Sequence, residues 1–508
     1  MKAKKKGGFL GKILGPLLNA ASEEREKLEH ELPFVVMIFA LMSSSGVSPY
    51  DSWKKMRHFS FLPNFKKEAE EVVRQVEVLG KDPLTVMRLR AEQTSSKLYR
   101  NFLGGFVSSV RSGGKMADYL KSELKVIFEL RHGQLTRSVE QAATIVEAYS
   151  VMLIVVLCVY ILFVVFSSAG MSDLLGGTSL ATSPVMSYLI AFILLPVMSL
   201  IFILIAHNMQ KSSFGNLKDL YKKALVILVP CIAVVAVFLL VPSIADAMGP
   251  IGLPEIATIC LVVGSLIPAI QYQKIAKINY NAEDSVPPFI RDVTEAHKIG
   301  LSPEKSIVQA TKRKSYGNFQ KFLELTRSQI EWGVPIRKTF TNISKEIRSW
   351  FVIANFAMLI ETIEIGGDNT ESLELLSEYS EKERELQINR RAMLKPYVLL
   401  AFIWSILIAV TTIIVAMTTQ MMSSVSGSSM ASTALLVMNS QLKMFSVGII
   451  LQCWISGFFV GKISEGNLGA GFRYSAMLAV TAYVSLVASQ LLLSGMFGSS
   501  GSFNFGSS

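Results

Sequence analysis

Apolar positions along the chain fall into two regimes. In one, they gather into long runs without charge: Tyr149–Phe166, Met186–Ile205, Leu225–Val241, Ile256–Ile270 with its flanks, and Tyr397–Met417. Two further runs, Met444–Val460 and Tyr474–Leu493, are interrupted by Gly, Ser or Thr but remain uncharged. A helix rises 1.5 Å per residue, so about 20 apolar residues cross the hydrocarbon core of a bilayer. These runs predict about seven transmembrane helices. In the other regime, residues 31–147 and 273–396 are polar, helix-forming regions that each read as a small helical bundle. The expected class is all-α: a polytopic membrane protein carrying two polar helical-bundle domains.

The polar regions share their punctuation. The first begins Glu31-Leu32-Pro33-Phe34, reaches Ser45-Gly46-Val47-Ser48-Pro49, and later Arg111-Ser112-Gly113-Gly114-Lys115. The second begins Val286-Pro287-Pro288-Phe289 and passes Gly300-Leu301-Ser302-Pro303 to Glu364-Ile365-Gly366-Gly367-Asp368. Pro33 to Gly46 is the same step as Pro287 to Gly300, and Gly80 to Gly113 the same as Gly333 to Gly366. An ordered recurrence of this kind marks an internal duplication. Pro33 and Pro287 are expected at the first turn of a helix, where the missing N–H leaves nothing unpaired. Gly46 and Gly300 suit a left-handed helix end, and Ser48-Pro49 and Ser302-Pro303 an N-cap followed by an N1 proline. The segment Phe34–Met42 is apolar nearly all round yet too short to span, so it belongs inside a bundle. Its counterpart, Phe289–Ile299, keeps an apolar stripe only at Phe289, Val293, Ala296 and Ile299.

Charge orients the chain. The net charge is +11 and the mean hydropathy +0.42 over 508 residues. Of 50 basic residues, 24 lie in 1–147 and 19 in 273–396. The connections Ala169–Pro184 and Ala247–Leu253 and the Ser/Met-rich stretch 419–442 contain no Lys or Arg. The positive-inside rule then places the N-terminus, both repeats, 208–223 and 462–473 in the cytoplasm and the C-terminus outside, with Lys443 alone dissenting. The expected domains are a basic amphipathic segment (1–30), a first cytoplasmic bundle (31–147), four spans (148–272), a second bundle (273–396), three spans (397–495) and a Gly/Ser-rich disordered tail (496–508).

Candidate chemistry is sparse. The four cysteines all fall inside apolar runs, and the five histidines form no ligand pair at helical spacing. Gly300-Leu301-Ser302-Pro303-Glu304-Lys305-Ser306 lacks the second glycine that lets a P-loop backbone approach phosphate. The spans hold almost no ionisable group, which argues against ion-coupled transport. No catalytic, metal-binding or cofactor-binding residue is expected, and no nucleic-acid partner.

The repeat motifs resemble those of the platform proteins of type IV filament and type II secretion machines, the F-domain family, and more closely its archaeal form, which builds archaella or adhesive pili. The resemblance covers residues 30–495 and rests on Glu31-Leu32-Pro33-Phe34, Ser45-Gly46-Val47-Ser48-Pro49, Val110-Arg111-Ser112-Gly113-Gly114 and their counterparts, including Pro49 against Pro303 and Gly113-Gly114 against Gly366-Gly367. It implies a non-enzymatic scaffold of the cytoplasmic membrane that couples a hexameric secretion ATPase to the lifting of pilin subunits, itself associating as a dimer. Basic surfaces suit an acidic protein or lipid headgroups. The candidate ATPase contacts are Lys54, Lys55, Arg57, Lys66, Lys67, Arg111 and Lys115 in the first copy. In the second they are Lys312, Arg313, Lys314, Arg337 and Lys338. Around the double glycine, copy two has Glu364 and Asp368 where copy one has Arg111 and Lys115, so an asymmetric contact is expected. The alternative is a transporter or lipid flippase with cytoplasmic regulatory domains, which would need a polar path through the spans.

Overall fold

The computed structural model describes residues 10–59, 61–168, 189–209, 218–240, 252–313, 316–343, 346–365, 370–425 and 431–497. Those residues form helices and short connections, with no strand among them. They divide into two compact units, one of residues 1–135 and 278–387, the other of 136–277 and 388–508.

The first unit holds both repeats. The first copy comprises α1 (Leu10–Ser44), α2 (Pro49–Met56), α3 (Pro63–Glu77), α4 (Pro83–Gln93), α5 (Lys97–Arg111) and the start of α6 (Met116–Ser168). Beyond the first unit lie α7 (Leu195–Met209), α8 (Lys218–Leu240) and most of α9 (Leu253–Lys298). The end of α9 opens the second copy. It continues as α10 (Pro303–Thr311), a 3-10 turn (Gly317–Phe319), α11 (Gln320–Glu331), α12 (Ile336–Ile343), α13 (Trp350–Ile365) and the start of α14 (Thr370–Val425). The helix order is the same in both copies.

Their joints match too. Gly46 (φ 78°) and Gly300 (φ 90°) end a helix in the left-handed region. Ser48 Oγ then accepts from the N–H of Asp51 at 3.1 Å, and Ser302 Oγ from that of Lys305 at 3.4 Å, each capping a helix with proline at its start. Gly113 is also left-handed (φ 69°); Gly366, Gly367 and Asp368 lie outside the described residues.

Pro33 and Pro287 do not begin helices. Both sit within continuous ones, α1 and α9. Proline removes one N–H there, but packing around these turns holds the helix despite the lost bond. Phe34–Met42 is buried throughout, each side chain at most 2% exposed. In copy two the expected stripe fails at its end: Phe289, Val293 and Ala296 are buried, while Ile299 is 83% exposed. Polar residues enter the core instead. Asp292 is held by Arg313 and the Tyr316 hydroxyl, and Thr294 Oγ1 bonds the Leu373 carbonyl at 3.2 Å. One hydrophobic core spans both copies, with Phe34 edge-on to Trp350 at 4.2 Å and Trp350 Nε1 donating to the Phe61 carbonyl at 2.9 Å.

Among the described residues, the second unit holds seven helices long and apolar enough to span a membrane, counting the apolar parts of α6, α9 and α14 together with α7 and the helical turn before it, α8, α15 (Ala431–Glu465) and α16 (Leu468–Phe497). α7 is preceded by a π-helical turn, Ile190–Leu194, where Pro196 withholds the N–H that would bond the Phe192 carbonyl. The apolar stretch of α15 is 78% buried, against 17% to 44% in the other six, which makes it the central helix. Leu225 and Val226 of α8, 63% and 69% exposed, face outward as lipid contacts do.

The charged turn expected at 462–473 is shorter than its sequence implies. α15 runs to Glu465 and α16 starts at Leu468, so Lys462 and Arg473 are helical. Lys462 is buried and donates to the Gly466 carbonyl at 2.7 Å, closing the end of α15. Helix likewise takes up most of 419–442, leaving only 426–430 outside the described residues. All of Ala169–Pro184, residues 210–217 of 208–223 and 247–251 of Ala247–Leu253, residues 1–9 and the tail 498–508 also lie outside them.

Candidate functional site

The basic residues of the first unit separate into those held by carboxylates and those left facing outward. In copy one, Lys54 reaches Glu77 at 3.2 Å and stands 4.8 Å over the Tyr50 ring. That lysine holds the Glu77 carboxyl below the ordinary range. Lys55 and Arg57 are half-buried. Lys66 lies 4.0 Å from Glu70 along α3, and Lys67 is exposed.

Arg111 and Lys115 flank the α5–α6 turn. The N–H of Gly113 bonds the Val110 carbonyl at 3.2 Å, that of Gly114 bonds Ser109 at 3.1 Å, and the Lys115 carbonyl accepts from Asp118 at 3.1 Å. The backbone of this reversal is therefore fixed while both cationic side chains stay exposed, with no ion pair among the described residues. An exposed, unpaired cation keeps its field available to a partner.

Copy two uses its cations differently. Arg313 is bound to buried Asp292. Arg337 grips Glu361 at 2.6 Å and Glu364 at 2.5 Å, and these carboxylates raise its own pKa. Burial pushes the Glu361 carboxyl up in spite of that arginine. Glu364, expected to make the second turn acidic, is thus already neutralised from α12. Lys312 and Lys338 are exposed, and Lys314 lies outside the described residues. Arg337 and Glu361 also border a cleft of about 190 Å³ between the copies, walled by Phe59, Phe61, Phe340 and Ile360.

Several interactions at this level escape a residue-by-residue reading. Ser96 Oγ donates to Glu29 at 3.0 Å and caps α5; Ser349 Oγ donates to Glu283 at 2.6 Å just before α13. Glu29 and Glu283, and Ser96 and Ser349, stand at corresponding steps of the repeat, so aligning the copies would have exposed the pair. Arg131 and Glu383, 3.0 Å apart with the Glu383 side chain 1% exposed, join the last helices of the two copies. Nothing in their sequence neighbourhoods singles them out.

A duplicated six-helix unit joined to seven spans defines a class of membrane assembly protein, and comparison with known proteins gives its family. The profile described as type II secretion system (T2SS), protein F, matches residues 36–165 and again 289–416, together more than half of the chain. The chain belongs to that family. It is also 21% identical over 496 residues to an uncharacterized protein of Methanocaldococcus jannaschii, covering 91% of this chain and 80% of the relative. No solved structure matches the chain.

Proposed function

We propose that this protein is the membrane platform of a type IV filament assembly machine of archaeal form, carrying the motion of a cytoplasmic secretion ATPase to pilin subunits in the membrane. The observation that carries this reading is the doubled protein F match laid over two copies of one helical unit. Continuity supports it. α6, α9 and α14 run as single helices of 53, 46 and 56 residues from repeat sequence into apolar sequence, so displacement at the polar end meets no intervening loop. The distant archaeal relative favours the archaeal form.

In this reading the repeats face the cytoplasm, the C-terminus lies outside, and the platform works as a homodimer. Arg111 and Lys115 are the primary contacts for an acidic ATPase surface. Lys67, Lys312 and Lys338 contribute to the same field, as do Lys54, Lys55, Arg57 and Lys66 to a lesser degree. Single exposed pairs contribute under about 1 kcal/mol, but several together steer association. Arg313 and Arg337 serve the fold first. The test is a pull-down of the ATPase with the Arg111→Glu/Lys115→Glu protein at low and high salt, scored beside filament counts. Weakened, salt-sensitive binding and lost filaments are expected; unchanged binding with normal filaments would sink the assignment. Cysteines at Ser179 and Ser428 should label from outside intact cells, and one at Ser108 should not.

A further inference from the structure

Within the second unit, three spans are joined by side-chain hydrogen bonds in otherwise apolar surroundings. Tyr149 of α6 meets Ser199 of α7 at 3.1 Å and Ser456 of α15 at 2.6 Å. Gln452 of α15 donates through Nε2 to Ser199 at 2.6 Å and to Tyr149 at 3.3 Å. Its other amide end has no hydrogen-bond partner among the described residues, although the residue is only 3% exposed. Turning the amide over does not help. The oxygen would then accept from the two hydroxyls and the NH2 group would be left unpaired.

Gln452 borders a cavity of about 20 Å³, together with Tyr149, Ser405, Cys453, Ser456 and Leu478. Ser405, on α14, is itself poorly held, at 3.4 Å from both the Cys453 sulfur and the Leu478 carbonyl. A water needs roughly 10–15 Å³ of such space and two or more polar partners. Both conditions are met here. Larger ligands are excluded by volume, and an ion by the neutral lining. A group that can donate to an amide oxygen and accept from a hydroxyl, or the reverse, answers either amide orientation.

We propose that this cavity is a fixed hydration site. One water bridges the free amide end of Gln452 to the Ser405 hydroxyl and so ties α14 into the polar contact among α6, α7 and α15. The family assignment is not needed for this inference. Unpaired amides in hydrocarbon are unfavourable, and ordered water is the ordinary remedy inside a helical bundle.

The test is a density map of the full-length protein in lipid nanodiscs at a resolution that shows ordered water. A discrete peak within hydrogen-bonding distance of Gln452 and Ser405 is expected. An empty cavity, density continuous with an acyl chain, or an amide re-paired to protein would overturn the proposal. Gln452→Met should lose the peak. Should that variant fail to insert, Ser405→Ala removes the other partner and should leave the peak displaced or absent. A peak unchanged in Ser405→Ala would mean that the water does not bridge to α14.

Discussion

The Glu31 carboxylate accepts the backbone N–H of Phe65 at 3.0 Å, across 34 residues of sequence. It also takes the Asn64 N–H at 3.1 Å and the Asn64 side-chain amide at 2.6 Å. Leu62 offers no side-chain cap to α3 and Pro63 follows it, so the orphan donors of that helix are satisfied from α1. The second copy fastens the same joint with other chemistry: Ser285, at the corresponding step, donates to the Tyr316 carbonyl at 3.2 Å.

Burial raises the Glu31 pKa more than its three donors lower it. A carboxyl raised in the folded state binds protons more readily there than in the unfolded chain. Its contribution is therefore fullest below the ordinary carboxylate range and falls away as pH rises through the folded value. Glu31→Gln lacks this contribution and turns an NH2 toward backbone donors, at a cost of about 1–2 kcal/mol. The Tm deficit of Glu31→Gln against the native protein should be larger at about pH 5 than at about pH 8. The reverse slope would mean that the N–H bonds outweigh burial.

The two glutamate–serine clasps make matched predictions. Ser96→Ala and Ser349→Ala should each destabilise the detergent-solubilised protein by about 1 kcal/mol, the worth of one hydrogen bond or cap. Ser108→Ala, on the exposed side of α5, should change nothing measurable. Chemical denaturation of the three variants decides it; an effect confined to one copy would show that the clasp is not a shared feature of the repeat.

Legibility in the sequence followed length scale. Seven spans and a duplicated unit rest on runs of some twenty residues and on repeat steps that single substitutions do not blur. Pro33 and Pro287 were misleading because proline marks a helix start only when local preference prevails. Here packing around Phe34 and Phe289 carries the helix through. Which cations stand exposed was only partly legible. Arg111 and Lys115 flank a glycine turn that exposes them, whereas Arg313 and Arg337 are drawn to Asp292 and Glu361, carboxylates 21 and 24 residues away that meet them only through the fold.

Close helix approach can be tested by adding one carbon. A Cβ on Gly457 would stand 2.2 Å from Ser475 Cα, and one on Gly461 2.3 Å from the Gly471 nitrogen. Backbone occupies those places, so the α15–α16 hairpin must open. Gly457→Ala and Gly461→Ala should each cost about 1–3 kcal/mol, as overpacking does. Gly133, in mid-helix with nothing within 4 Å of its added Cβ, provides the contrast. Gly133→Ala should stabilise by about 0.5–1 kcal/mol through reduced unfolded-state freedom. Tolerance of alanine at both Gly457 and Gly461 in thermal melts would contradict the close crossing.

Arg337 and Lys338 are neighbours on α12 with opposite expected phenotypes. Arg337 holds Glu361, whose side chain is 10% exposed, and Glu364 at the end of α13. Arg337→Ala leaves a buried carboxylate without its cation and Glu364 adjacent to it. Because the guanidinium is itself half-exposed, water screens part of the loss, and about 1–2 kcal/mol is expected. Lys338→Ala removes an exposed cation and should leave the melting curve unchanged. The remedy for the first variant is specific: adding Glu361→Gln to Arg337→Ala removes the stranded charge and should recover part of the Tm, while the same change in the native background should not raise it. A double mutant no more stable than Arg337→Ala would show that the arginine is only a surface cation, available to a partner like Lys338.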